Sequence, residues 1–167
     1  MLSIISKFVP AEEVGQHRPF GNGHINDTYA VQDKNGVDRW VLQRVNHVVF
    51  PRIEVLQKNI SVVSKTLHDA LEKNGDPDKE RKYLNYLPLI EDSSKNYYYD
   101  GENYWRLCTF IPDSMSVSTL NEESARYAGE AFGEFEAILS SIPEGVLGDT
   151  IENFHSMPFR LQQLRDA

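Results

Sequence analysis

Between residues 52 and 73, apolar side chains recur every three or four positions: Ile53, Leu56, Ile60, Val63, Leu67 and Leu71. That spacing lays one apolar stripe along an amphipathic helix of about six turns. Pro51 stands where a first helical turn tolerates proline, and Asn74-Gly75 supplies residues that end a helix. Upstream, the period shortens to two. Residues 25–32 and 37–46 read as strands joined by Asp33-Lys34-Asn35-Gly36, where Asn-Gly accepts the positive φ of a tight hairpin. Residues 16–20 form an extended lead-in to the first of these, and residues 1–14 a short helix. A second hairpin is expected from residues 96–99 and 104–110, turning at Asp100-Gly101-Glu102-Asn103. Residues 84–90 are extended but interrupted by Pro88, which places them at a sheet edge or a strand end.

The pattern changes after residue 110. Ile111-Pro112-Asp113-Ser114 breaks the strand and opens a linker over 111–118. Thr119-Leu120-Asn121-Glu122 has capping-box spacing, and Ala125, Ala128, Phe132, Phe135 and Ile138 mark one face of a helix reaching about Leu139. Pro143 and Gly145 stop it, and a loop around Phe154-His155 precedes a last helical stretch over 159–165. The order predicts an α+β chain: a sheet-plus-helix unit over 1–110, the linker, and a helical part over 119–167.

Composition narrows the partners. Twenty-five acidic residues against seventeen basic give a net charge of −8, which disfavours nucleic acid and anionic membrane as partners. The single cysteine, Cys108, can form no intramolecular disulfide, and the N-terminus has no basic segment followed by a long apolar run. A cytoplasmic location is expected. No window reaches membrane-spanning length.

The chemistry concentrates in Phe20-Gly21-Asn22-Gly23-His24-Ile25-Asn26-Asp27-Thr28-Tyr29 and in Trp40-Val41-Leu42-Gln43-Arg44-Val45-Asn46. A glycine-bearing loop between strands lets bare backbone N–H groups approach phosphate oxygens closely. A third strand carrying polar residues beside such a loop is how kinase-like folds hold the phosphates of ATP. Taken alone, Gly-x-Gly is more often an ordinary turn. The usual lysine of that third strand is replaced here by Gln43 and Arg44. Strand side chains alternate, so only one of the two enters the cleft: Gln43 if Val41 covers the base, Arg44 if Leu42 does. Glu54 on the long helix is a candidate bridge to either.

Together these motifs resemble the N-acetylhexosamine 1-kinases of the aminoglycoside and choline phosphotransferase group. The resemblance runs from about residue 15 onward. It rests on Gly-x-Gly-His-Ile-Asn-x-Thr-Tyr at 21–29, Val-Leu-Gln-Arg-Val-Asn at 41–46, Val-Phe-Pro at 49–51 and Asn59-Ile60. It continues through Tyr104-Trp105-Arg106, Phe110-Ile111, Ala131-Phe132-Gly133-Glu134-Phe135 and Ile151-Glu152-Asn153-Phe154-His155-Ser156-Met157-Pro158-Phe159-Arg160. It implies a kinase-like N-terminal lobe, with a five-stranded antiparallel sheet and one long helix, then a hinge and the first helices of an incomplete C-terminal lobe. ATP would lie under Gly21, Asn22, Gly23 and Thr28, with its adenine against the hinge at Thr109, Phe110 and Ile111. The family carries glutamine at the position of Gln43, which favours Gln43 over Arg44 at the phosphates. A neutral amide there leaves more of the charge to Mg2+. His24 would reach an amino sugar, whose anomeric hydroxyl is the acceptor. The His-x-Asp and Asp-x-Asp segments that supply the catalytic base and the magnesium ligands are absent here and expected beyond Ala167. This chain alone is therefore expected to be inactive, and to self-associate through the apolar faces its second lobe would cover.

The alternatives are a catalytically silent binding module built from the same lobe and the lobe of a choline or aminoglycoside kinase. Relatives labelled mucin desulfatase suggest sulfatase chemistry, but Cys108 lacks the Cys-x-Pro-x-Arg setting, and burial in a strand is the plainer reading. No Gly-x-Ser-x-Gly and no metal-ligand spacing occurs. Tyr97-Tyr98-Tyr99 with Tyr104-Trp105 reads as cross-strand packing rather than a surface for bases.

Overall fold

The computed structural model describes residues 1–114, 119 and 121–166. Three hairpin connections and one crossover build its sheet. β1 (Val14–Pro19), β2 (Asp27–Asp33) and β3 (Asp38–Val45) are consecutive antiparallel neighbours. At the β2–β3 turn the Asp33 carboxylate accepts from the Asn35 and Val37 N–H groups at 2.8 and 3.0 Å, while Gly36 takes a φ of 81°. That φ is what the Asn-Gly pair anticipates. α2 (Ile53–Lys73) then crosses over, and β4 (Tyr98–Tyr99) and β5 (Tyr104–Thr109) complete the order β1-β2-β3-β5-β4, antiparallel throughout. The result is an α+β fold with a five-stranded antiparallel sheet and one long helix.

The faces of the sheet are unlike. On one, Val31, Leu42, Trp105 and Leu107 pack with Ile5, Phe8 and Val9 from the N-terminal segment, which opens with the single turn α1 (Leu2–Ile5). This cluster is apolar and at most 6 % exposed. The other face carries Ala30, Arg106 and Cys108, all buried; α2 separately buries Ile53, Gln57, Leu67 and Leu71. Cys108 is a buried core group of β5, and that burial raises its thiol to about 11.

Four local expectations change. Residues 1–13 form only α1 and a 3-10 turn (Ala11–Glu13), Val14 already belongs to β1, and Pro10 keeps the two short pieces from joining into one helix. Pro51 stands just ahead of the N-cap, Arg52. Residues 84–90 make no strand: Tyr86 forms one bridge to Cys108 and the Leu87 N–H donates to the Leu107 carbonyl at 2.8 Å, after which Pro88 has no donor to extend the ladder. The capping box of α3 (Glu122–Leu139) uses Asn121 and Ser124, not Thr119 and Glu122. Asn121 Oδ1 accepts from the Ser124 N–H at 2.8 Å and Ser124 Oγ accepts from the Asn121 N–H at 2.9 Å. Linker residues 115–118 and Leu120 lie outside the described residues. α4 (Met157–Asp166) ends the described chain.

Side chains join the C-terminal part to the sheet unit. Asn59 on α2 both donates to and accepts from the Gly148 backbone, at 2.7 and 3.0 Å, and Arg81 donates to the Pro112 carbonyl at 2.7 Å. The β4–β5 turn has its own anchor. Asp100 accepts from the Asn103 and Glu102 N–H groups at 2.7 and 2.9 Å and from Trp105 Nε1 at 2.7 Å. The Asn103 amide above all holds this carboxyl below its ordinary value, against an opposing effect of desolvation. A depressed carboxylate stabilises the fold above its unfolded value of about 3.9 and stops doing so as pH falls through the folded value. Asp100→Asn should therefore lower the melting temperature at pH 7, and the gap from wild type should narrow steadily below about pH 4.

Candidate functional site

Phe20 and Thr28 close the loop between β1 and β2, with the Phe20 N–H donating to the Thr28 carbonyl at 2.9 Å. Gly21 takes a φ of 80°, which L side chains rarely adopt. Gly23 has neither a positive φ nor any atom within 4 Å of where a Cβ would stand, so nothing within the chain demands glycine there. Asn26 Oδ1 accepts from the Asn46 N–H at 2.9 Å and ties the far side of the loop to the end of β3. Phe20 and Phe110 bring its base to the end of β5, with ring centroids 5.4 Å apart.

Core packing settles the alternation along β3. Leu42 is fully buried among Ile5, Phe8 and Val31, so Gln43 faces the opposite side. Thr28, Gln43 and Arg106 are directly paired across β2, β3 and β5. Gln43 Nε2 donates to Thr28 Oγ1 at 3.2 Å, and Arg106 Nε donates to Gln43 Oε1 at 3.0 Å. The Arg106 guanidinium sits over the Tyr86 ring, 4.9 Å from its centroid. Burial pushes the Tyr86 hydroxyl above its ordinary value, and Arg106 opposes that shift. Arg44 pairs with Asp27, Nε to Oδ2 at 2.7 Å, and remains exposed on the other side.

Two buried polar residues were given no role by the sequence, Arg106 on β5 and Gln57 on α2. Arg106 is 8 % exposed, and its Nη1 is buried with no hydrogen-bond partner among the described residues. Gln57 is 2 % exposed, and neither its amide oxygen nor its amide nitrogen has a partner there. The signal was present in both cases: a cation within the otherwise apolar run Trp105 to Cys108, and an amide interrupting the stripe of α2. Glu54, the residue expected to bridge toward β3, is exposed and forms no ion pair among the described residues. α2 turns Gln57 inward instead.

The Thr109 N–H donates to the Asn85 carbonyl at 2.9 Å and the Phe110 N–H to the Arg39 carbonyl at 2.8 Å, while no described residue engages the Ile111 N–H. His24 lines a polar cleft of about 340 Å³ with Asp27, Arg44, Asn46, His47 and Asn103, separate from the Gln43 row. A larger cavity of about 640 Å³ adjoins it at Ile25, between Phe50 and the segment from Gly148 to Ser156. Among the described residues no three His, Cys, Asp or Glu side chains gather as metal ligands, and no helix is long and apolar enough to cross a membrane. Tyr99 and Tyr97 pack on Tyr104 with centroids 4.6 and 6.1 Å away, as cross-strand aromatics do. No protein-family model matches the chain.

The Gln43–Arg106 bond is a pairwise test of this geometry. Gln43→Leu leaves a buried guanidinium without its acceptor and should cost about 2 kcal/mol in denaturant unfolding. Adding Arg106→Met removes the stranded charge and should recover part of that loss. Additive costs in this double-mutant cycle would mean that the two side chains do not interact.

Proposed function

We propose that this chain is the nucleotide-binding portion of an ATP-dependent phosphotransferase with a kinase-like fold, similar to the N-acetylhexosamine 1-kinases. The observation that carries the reading is the polar row Thr28–Gln43–Arg106, on the strand face that begins where the Gly21–Gly23 loop closes. Phosphate groups need donors from bare backbone and from side chains at one place. The loop supplies the first and the row the second. Gly23 supports this, since its missing side chain serves no purpose inside the protein.

In this reading the amides of Gly21, Asn22 and Gly23 close over the phosphates. The Ile111 N–H, with the backbone of Thr109 and Phe110, meets the adenine edge. His24, at the loop, faces the acceptor, the anomeric hydroxyl of an N-acetylhexosamine. Magnesium and the catalytic carboxylate are assigned to a second lobe and to no described residue. The setting is cytoplasmic, with neither nucleic acid nor membrane as partner.

Amide NMR titration tests the reading. ATP with magnesium should shift the resonances of residues 21–23, 28, 43 and 111, with a dissociation constant weaker than about 0.1 mM because no described group of carboxylates holds the magnesium. Unmoved spectra at about 10 mM nucleotide, or shifts confined to α3 and α4, would contradict it. The same reading leaves the apolar residues of α3 and α4 to the rest of the helical lobe; Phe132 and Leu164 are 68 and 74 % exposed. Light scattering should then show mass rising with concentration, and a monodisperse monomer would count against that part.

A further inference from the structure

Arginine is rarely buried without an acid, because desolvating its charge costs several kcal/mol unless something compensates. Arg106 is more than nine-tenths buried, and no carboxylate pairs with it among the described residues. Its guanidinium is held instead by a neutral amide oxygen at 3.0 Å and by the face of Tyr86. Both fix its orientation; neither neutralises its charge. One nitrogen, Nη1, has no acceptor among the described residues. Gln57, on α2, has two more buried polar atoms without a partner among the described residues. It accepts, through its backbone carbonyl, from Ser61 Oγ at 3.0 Å, and Ser61 shares a cavity with Tyr86. Arg106 is thus a buried positive charge with an unfilled donor among the described residues.

Resting on the nucleotide reading, we infer that Arg106 is the cation that meets the nucleotide's phosphates, and that Gln43 is the strut that aims it. Gln43 itself is poorly suited to bind them. It carries no charge; one Nε2 N–H goes to Thr28 and Oε1 to Arg106, so its amide bridges β2 and β5 with a single N–H left over. The lysine that kinase-like folds place on the third strand is thereby replaced by an arginine one strand further, about 5 Å away across the sheet. The longer side chain spans that step. A planar fork of donors also suits a phosphate better than a point charge does.

The test uses the whole chain with ATP, adenosine and inorganic tripolyphosphate as probes. Wild type should bind ATP about tenfold or more tightly than adenosine. Arg106→Gln should lose about that factor for ATP and leave adenosine affinity unchanged, a difference that a merely structural role would not produce. On the unaltered protein, the arginine Nε–Hε resonance missing from the Arg106→Lys spectrum should move with ATP and with tripolyphosphate but not with adenosine. That readout holds even if Arg106→Gln fails to fold. Wild type that binds ATP while Arg106→Gln binds it equally, or an Arg106 resonance indifferent to phosphate, overturns the inference and leaves the nucleotide reading standing. Wild type that binds neither ATP nor adenosine overturns the reading itself.

Discussion

A cation buried in the middle of a sheet sets the terms for the rest of this molecule. Arg106 stands on the strand next to β3, its Nε bonded to Gln43 Oε1 and its plane over Tyr86. An apolar residue would pack more cheaply at a central strand position. The surroundings are arranged to hold the group rather than to cancel it. Thr28 fixes Gln43, Gln43 fixes Arg106, and the direct pairing of the three across β2, β3 and β5 makes the row rigid.

The apolar face makes that row possible. Leu42 and Leu107, both fully buried against Ile5, Phe8 and Val9, pin β3 and β5 in register from the far side. Slipping either strand by one residue would send Gln43 or Arg106 into that cluster. The position of the polar row is therefore decided by hydrophobic packing on the face it does not occupy. The loop ahead of it is fixed by backbone geometry at Gly21 and by the Asn26–Asn46 clip, so loop and row share one frame.

Legibility in the sequence followed how local each constraint is. Asn35-Gly36 and the stripe from Ile53 to Leu71 act within a few residues, and both elements stand where they were expected. The choice between Gln43 and Arg44 was not local. Period-two alternation gives two faces without saying which is inward, and only the packing of Leu42 on Ile5 and Phe8 decides. Arg106 was harder still, because Trp105, Arg106, Leu107 and Cys108 are all buried and the strand shows no alternation to interpret. Its charge was the one available signal. For α3, Thr119 and Asn121 both suit an N-cap; Ser124, three residues on from Asn121, is the partner that selects the second.

A crystal structure of the chain with a non-hydrolysable ATP analogue tests the central claim most directly. The account predicts phosphate oxygens within about 3 Å of the Arg106 guanidinium and of the Gly21–Gly23 amides, with the Gln43 bridge intact. A nucleotide seated elsewhere, or Arg106 turned to a carboxylate while the phosphates contact only Arg44, would contradict it.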